Sequence, residues 1–237
     1  MNRLENKVVI VTGAASGIGQ ATAARLRAEG GTVVGIDRDP VDDVDMAIQL
    51  DLLDLEAIAP AVSQVVDAYG RIDVLCNIAG IGHFASDDGE TLEAWNRVIG
   101  VNLTGTYFMS QACLPHLIES QGCIVNTAST AGTHAQPWSS AYSASKGGVI
   151  ALTQTMAITN GRLGIRVNCI APGGVETAIG AQFTPPEDAD LTLMARIMPF
   201  ERPGQASELA AAFAFLASDD ASYCNGIVLR VDGGTMT

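Results

Sequence analysis

Short runs of β-branched and aliphatic residues alternate along the whole chain with longer stretches whose apolar positions recur at helical spacing. The runs predict strands at Val8 to Thr12, Thr32 to Asp37, Met46 to Asp51, Val74 to Asn77, Cys123 to Ala128, Arg166 to Ile170 and Ile227 to Val231. Between them the spacing predicts helices near Ile18 to Ala28, Leu55 to Tyr69, Leu92 to Glu119, Tyr142 to Gly161 and Ala206 to Ala217. Strands that are apolar on both faces and separated by helices require a parallel sheet covered on both sides. The expected fold class is therefore α/β, a Rossmann-like doubly wound parallel sheet of about seven strands. No repeat, low-complexity segment or linker divides the pattern, and 237 residues suit one domain spanning residues 1–237.

One segment breaks the rhythm. Residues 178–203 carry Pro185, Pro186, Glu187, Asp188 and Asp190 before a short helical stretch from Leu191 to Ile197. Insertions after the carboxyl end of a strand often close over a substrate, so this segment is a candidate lid, with a disordered surface loop as the alternative.

Composition narrows the partners. A formal charge of −13, with Lys and Arg scattered singly, disfavours nucleic acid and anionic membrane surfaces. The apolar stretch from Val98 to Ile118 is interrupted by Asn102, Thr104, Thr106, Ser110, Gln111, Pro115 and His116, which argues against a membrane span. No charged segment followed by a long apolar run opens the chain, and the cysteines at 76, 113, 123, 169 and 224 form no C-x-x-C pair; a reducing cytoplasm is expected. His83, His116 and His134 lack metal-ligand spacing, so no catalytic metal is expected.

Two helical stretches are unusual. Neither Arg97 to Glu119 nor Lys146 to Arg162 carries a formally charged residue between its ends. A helix with one face in water normally shows a charged stripe, so the outer face, with residues such as Thr104, Phe108, Ala151, Thr155 and Ile158, is expected to pack against a second copy of the chain.

The first candidate chemistry follows the first strand. T-G-A-A-S-G-I-G at residues 12–19 places Gly13, Gly17 and Gly19, with Ser16 and Ile18, between a strand and a helix. There glycines allow a tight turn and close backbone approach to a pyrophosphate, and the helix N-terminus offers free N–H groups. Asp37 ends the second predicted strand, where a carboxylate accepts from ribose hydroxyls and repels a 2′-phosphate; this favours NAD over NADP, although the adjacent Arg38 could pair with a phosphate. Asp51 and N-I-A-G at residues 77–80 fall at other strand ends, the side on which doubly wound sheets bind ligands.

The second lies farther along. Tyr142 and Lys146 are four residues apart on a predicted helix and so share one face. A phenol titrates near ~10 and needs an adjacent positive charge to exchange protons at neutral pH, which Lys146 would supply. Ser129, thirteen residues before Tyr142, closes a predicted strand and could hold a substrate oxygen. His134 and Trp138, lying between Ser129 and Tyr142, are further pocket candidates, with loop packing as the plainer reading.

These motifs resemble, in order and over essentially the whole chain, the short-chain dehydrogenases/reductases of the Tyr-x-x-x-Lys subgroup: T-G-x-x-x-G-I-G, N-x-A-G, V-N-L at 101–103, the serine before the tyrosine, Y-S-A-S-K at 142–146, A-P-G-G-V-E-T at 171–177 and V-D-G-G at 231–234. The resemblance implies that Tyr142 is the general acid/base, that Ser129 orients the carbonyl, that Lys146 binds the nicotinamide ribose and lowers the tyrosine pKa, and that Asn102 holds a proton-relay water. It also implies that Asp51 contacts adenine, that Asn77 and Gly80 flank the adenosine ribose, and that Pro172, Gly173, Val175 and Thr177 receive the nicotinamide carboxamide. Ile78 stands where the family usually has a second asparagine. Assembly as a dimer, commonly a tetramer, is implied as well.

The expected activity is hydride transfer between NAD(H) and a small secondary alcohol or ketone. The alternatives are a ketoacyl-carrier-protein reductase using NADPH and a catalytically silent NAD-binding scaffold. Acidic carriers would be repelled by a −13 surface, and Asp37 stands where NADPH would need a cation. The set Asn102, Ser129, Tyr142 and Lys146 argues against a silent scaffold.

Overall fold

Seven parallel strands form one sheet in the order β3-β2-β1-β4-β5-β6-β7 in a computed structural model that describes residues 2–134, 136–194 and 200–235. In chain order the elements are β1 (Val8–Thr12), α1 (Gly17–Ala28), β2 (Thr32–Asp37), β3 (Met46–Gln49), α2 (Leu55–Tyr69), β4 (Val74–Asn77), α3 (Leu92–Ile99), α4 (Thr106–Ser120), β5 (Cys123–Thr127), α5 (Thr130–Thr133), α6 (Ser140–Asn160), β6 (Arg166–Pro172), α7 (Ala206–Ala217) and β7 (Val228–Val231). The central strands β1, β4 and β5 are buried at every position, whereas the edge strands β3 and β7 are not.

Alternation within each strand feeds two cores. Val8 and Ile10 pack with Ile58, Val62, Met109 and Leu117 of α2 and α4 on one face. Val9 and Val11 pack with Ala23, Leu26, Leu209 and Phe213 of α1 and α7 on the other. Because β2 lies on one side of β1 and β4 on the other, the order reverses at β1 and opens a crevice beyond the strands' carboxyl ends.

Several boundaries differ from expectation. β3 stops at Gln49, where its pairing with Asp37 exhausts β2, so Asp51 lies two residues beyond the strand. β6 continues to Pro172 because β7 pairs with it that far. The helix expected from Leu92 to Glu119 is unbroken from Leu92 to Ser120 but widens into a π-helical turn at Gly100–Gly105 between α3 and α4. Gly100 and Gly105 face Leu53 and Leu52 so closely that a Cβ would lie 2.6 and 2.8 Å from those side chains. An i→i+5 turn keeps the apolar pattern of a helix, so periodicity cannot reveal it.

The short helix α5 was not expected; Ser129, extended at its N-cap, starts it by accepting from the Ala131 N–H at 3.1 Å. In the 178–203 segment, Ala178–Gln182 and Leu191–Met194 are 3₁₀ turns. The rest of the stretch predicted as helical to Ile197 lies outside the described residues. Among those described, no helix is long and apolar enough to cross a membrane.

Candidate active site

The crevice is floored by two loops that approach backbone to backbone. Thr12, the last residue of β1, accepts through Oγ1 from the N–H groups of Ile78 and Ala79 at 3.0 and 3.1 Å. Gly13 follows with φ +72°, and a Cβ there would lie 2.8 Å from both Cα and N of Ala79. Only glycine fits, for the φ and for the contact. The turn delivers the chain to α1, whose N-cap Ser16 makes no side-chain capping bond and whose first turn carries no acid. The leading N–H groups of α1 thus face the crevice with their dipole uncompensated, the arrangement an anion requires.

Asp37 ends β2 beside this turn. Its carboxylate is fixed by the N–H of Ala15 at 3.0 Å on one oxygen and of Asp39 at 3.1 Å on the other, and the residue lines the crevice. Arg38 is paired with Asp39 at 3.5 Å. Asp51 accepts from the Leu53 N–H at 2.9 Å.

At the other end, α6 carries Tyr142 and Lys146 over the carboxyl end of β5. Lys146 is 3% exposed, and its Nζ donates to the Thr127 carbonyl at 2.8 Å while standing 5.8 Å from the Tyr142 ring centroid. Burial lowers its ammonium to about 8, partly opposed by Cys169. Burial likewise raises the Tyr142 phenol above its ordinary value, and a hydrogen bond from the Ser129 hydroxyl opposes the rise. Close packing holds the group: a Cβ at Gly132 of α5 would lie 2.6 Å from the Lys146 carbonyl carbon, and one at Gly80 would lie 3.4 Å from Nζ.

One cavity of about 600 Å³ joins the two ends, a size suited to a ligand. It is lined by Gly13, Ser16, Gly17, Ile18, Gly19, Asp37, Asp51, Gly80, Ser129, Tyr142, Lys146, Pro172, Gly173, Val175 and Thr177. Two expected residues stand behind its wall. Asn77 is 2% exposed, and its amide donates to Ser110 at 3.0 Å and Asn126 at 2.9 Å, because alternation along β4 turns it into the core. Asn102, fully buried in the π-helical turn, clamps Ile81: it accepts from the Ile81 N–H at 2.8 Å and donates to the Ile81 carbonyl at 3.0 Å and to Ser145 at 3.1 Å. That amide is committed to the protein, so any water held here would have to use the backbone of the turn. His134 and Trp138 do not line the cavity; Gln136 and Pro137, between them, do.

Ile81 and Phe183 line the chemical end, although the sequence did not single them out. Phe183 lay inside the candidate lid, its only signal. The roots of that segment are joined by a parallel bridge between Val175 and Gly204, with the Glu176 N–H donating to Gly204 O at 2.9 Å and the Gly204 N–H to Gly174 O at 2.8 Å. Arg202 pairs with Glu208 of α7 at 2.7 Å.

The geometry agrees with what the chain is similar to. A family described as "Enoyl-(Acyl carrier protein) reductase" matches residues 13–236. Meso-2,3-butanediol dehydrogenase of Serratia marcescens is 41% identical, over 98% of this chain and 95% of that protein. A 3-oxoacyl-[acyl-carrier-protein] reductase of Thermotoga maritima is 40% identical, over 98% of each. Among solved structures, levodione reductase superposes with a TM-score of 0.90 at 35% identity over 98% of both chains. The 3-ketoacyl-(acyl-carrier-protein) reductase of Brucella melitensis, complexed with NADH, superposes with 0.90 at 33%, over 98% of this chain and 99% of that one.

Proposed function

The chain belongs to the short-chain dehydrogenase/reductase family, and from that premise we propose that it exchanges a hydride between NAD(H) and a small secondary alcohol or ketone, with Tyr142 as general acid/base. The observation that carries the reading is that Ser129, Tyr142 and Lys146 line one end of the crevice together, with the buried Lys146 Nζ 5.8 Å from the Tyr142 ring centroid.

The crevice fits a dinucleotide on its own geometry: the Gly13 turn has no room for a Cβ, and the open α1 N-terminus can receive a pyrophosphate. Asp37 and Asp51 would hold the adenosine half, and Pro172, Gly173, Val175 and Thr177 the nicotinamide half. The cofactor, when bound, supplies hydride exchange at the carbinol carbon. The protein's part is the proton and the orientation. Ser129 hydrogen-bonds the substrate oxygen, and Tyr142 takes the alcohol proton in oxidation and returns it in reduction. Since burial opposes the phenolate, a positive neighbour is needed. Lys146, mostly protonated at neutral pH with its ammonium at about 8, is that neighbour.

NAD is favoured over NADP because the fixed Asp37 carboxylate opposes a 2′-phosphate and the guanidinium next to it in the chain, Arg38, is paired with Asp39. Asp37→Ala should raise kcat/KM with NADP relative to NAD; an unchanged ratio would show that Asp37 does not set the choice. A carrier-protein reductase is the second reading, favoured by the Thermotoga relative and opposed by Asp37 and the −13 charge.

We place the protein in the cytoplasm, in keeping with five free thiols, and read it as a homo-oligomer. Ile158 is 83% exposed on α6, and Tyr107, Ala151 and Thr155 are exposed on the same uncharged α4 and α6 faces. Sedimentation decides: a single species near 24.6 kDa refutes assembly.

The reading as a whole is tested by following NAD reduction across secondary alcohols, hydroxysteroids and sugars. Tight NAD binding with turnover of none would favour the silent scaffold.

A further inference from the structure

Phe183 follows the 3₁₀ turn Ala178–Gln182, and its ring meets Tyr142 edge-on, with centroids 5.1 Å apart at 78°. It also lies 4.8 Å from the Phe84 ring. It is seated directly over Gly82: a Cβ there would lie 2.7 Å from the ring's Cζ and 2.9 Å from both Cε atoms. The neighbouring Gln182 accepts from the Gly82 N–H at 3.0 Å.

The seat itself is rigid. Asn102 clamps Ile81 from behind, the Ala85 N–H donates to the Trp138 carbonyl at 2.8 Å, and Ser140 donates to Asp87 at 2.7 Å. An aromatic ring held in this way cannot swing aside for substrate without lifting from its seat. It lines the same cavity as Tyr142 and Ser129.

We propose that the Gly82–Phe183 pair determines substrate size: Phe183 walls the compartment beside the Tyr142 hydroxyl, and the missing Cβ of residue 82 sets how far back the wall stands. The substrate class is then a compact, uncharged secondary alcohol or ketone with at least one short alkyl arm, and compounds bulky on both sides are excluded. The inference rests on the secondary-alcohol reading above and adds the residues that grade its substrates.

The test compares reduction of 2-butanone and of isobutyrophenone, which is bulky on both sides, by the full-length protein with NADH. Phe183→Ala should raise kcat/KM for isobutyrophenone relative to 2-butanone by about 10-fold or more, the scale a hydrophobic wall can discriminate, with NADH affinity unchanged. Gly82→Ala should raise KM for 2-butanone while kcat changes less, and Phe183→Leu added to it should restore KM. A merely structural role would lower kcat/KM for both ketones alike and leave their ratio unmoved. An unmoved size ratio in Phe183→Ala, or a Gly82→Ala defect that Phe183→Leu leaves in place, overturns the proposal while the secondary-alcohol reading stands. Failure of the unmutated protein to reduce any ketone of a size-graded panel overturns both.

Discussion

The two ends of the crevice are built by different means. The dinucleotide end depends on backbone: a glycine at φ +72°, N–H groups of α1, and a turn that abuts Ala79 with no space for a side chain. The chemical end depends on side chains brought from α6, from the start of α5 and from a segment beyond residue 178, all converging on one phenol. Backbone recognition demands particular residues at fixed spacings, whereas a wall of side chains can be exchanged for another shape. A common cofactor grip can therefore serve many substrates.

The sharpest way to separate the ends is Tyr142→Phe. The ring and its packing remain, the proton path is lost, and turnover should fall by about 10²- to 10⁴-fold with NAD affinity unchanged. A near-normal rate would remove Tyr142 from the chemistry.

Lys146 lies at the seam and should be a stability cost as well as a catalytic need. Its folded value of about 8 lies below the unfolded value of 10.5, so between those pH values the unfolded chain binds more protons and stability rises with pH. Below about 8 the buried charge costs roughly 3–4 kcal/mol at 1.4 kcal/mol per tenfold. Lys146→Met should therefore melt higher than the parent at pH 7, with the gap closing as pH approaches 10.5, while turnover falls. A gap that is constant with pH would show that the lysine charge is not desolvated.

Gly13→Ala attacks the backbone end. Strain at positive φ and the contact with Ala79 should destabilise the fold by about 1–3 kcal/mol and weaken NAD binding, read by thermal melts and titration. Gly174→Ala, across the crevice, is the comparison: a Cβ there meets nothing within 4 Å, so stability should move by less than about 0.5 kcal/mol. Equal effects at the two glycines would erase the contrast between the ends.

The chain pattern alone carried the α/β class, the approximate position of every strand and the residues of the glycine turn. These follow from local rules: apolar runs mark buried strands, and glycine spacing marks a turn that must approach a phosphate. Tyr142, Lys146 and Ser129 were legible for a related reason, since four residues on a helix define a face and a strand end defines a place.

Tertiary structure alone decided the rest. Alternation along β4 turned Asn77 into the core, and a π-helical turn used the Asn102 amide to clamp Ile81. The meeting of Gly82 with Gln182 and Phe183 spans about a hundred residues, and no local period encodes it. Residues far apart in the chain meet only after the sheet order is set, and which side chains then fill the space beside Tyr142 depends on packing in three dimensions.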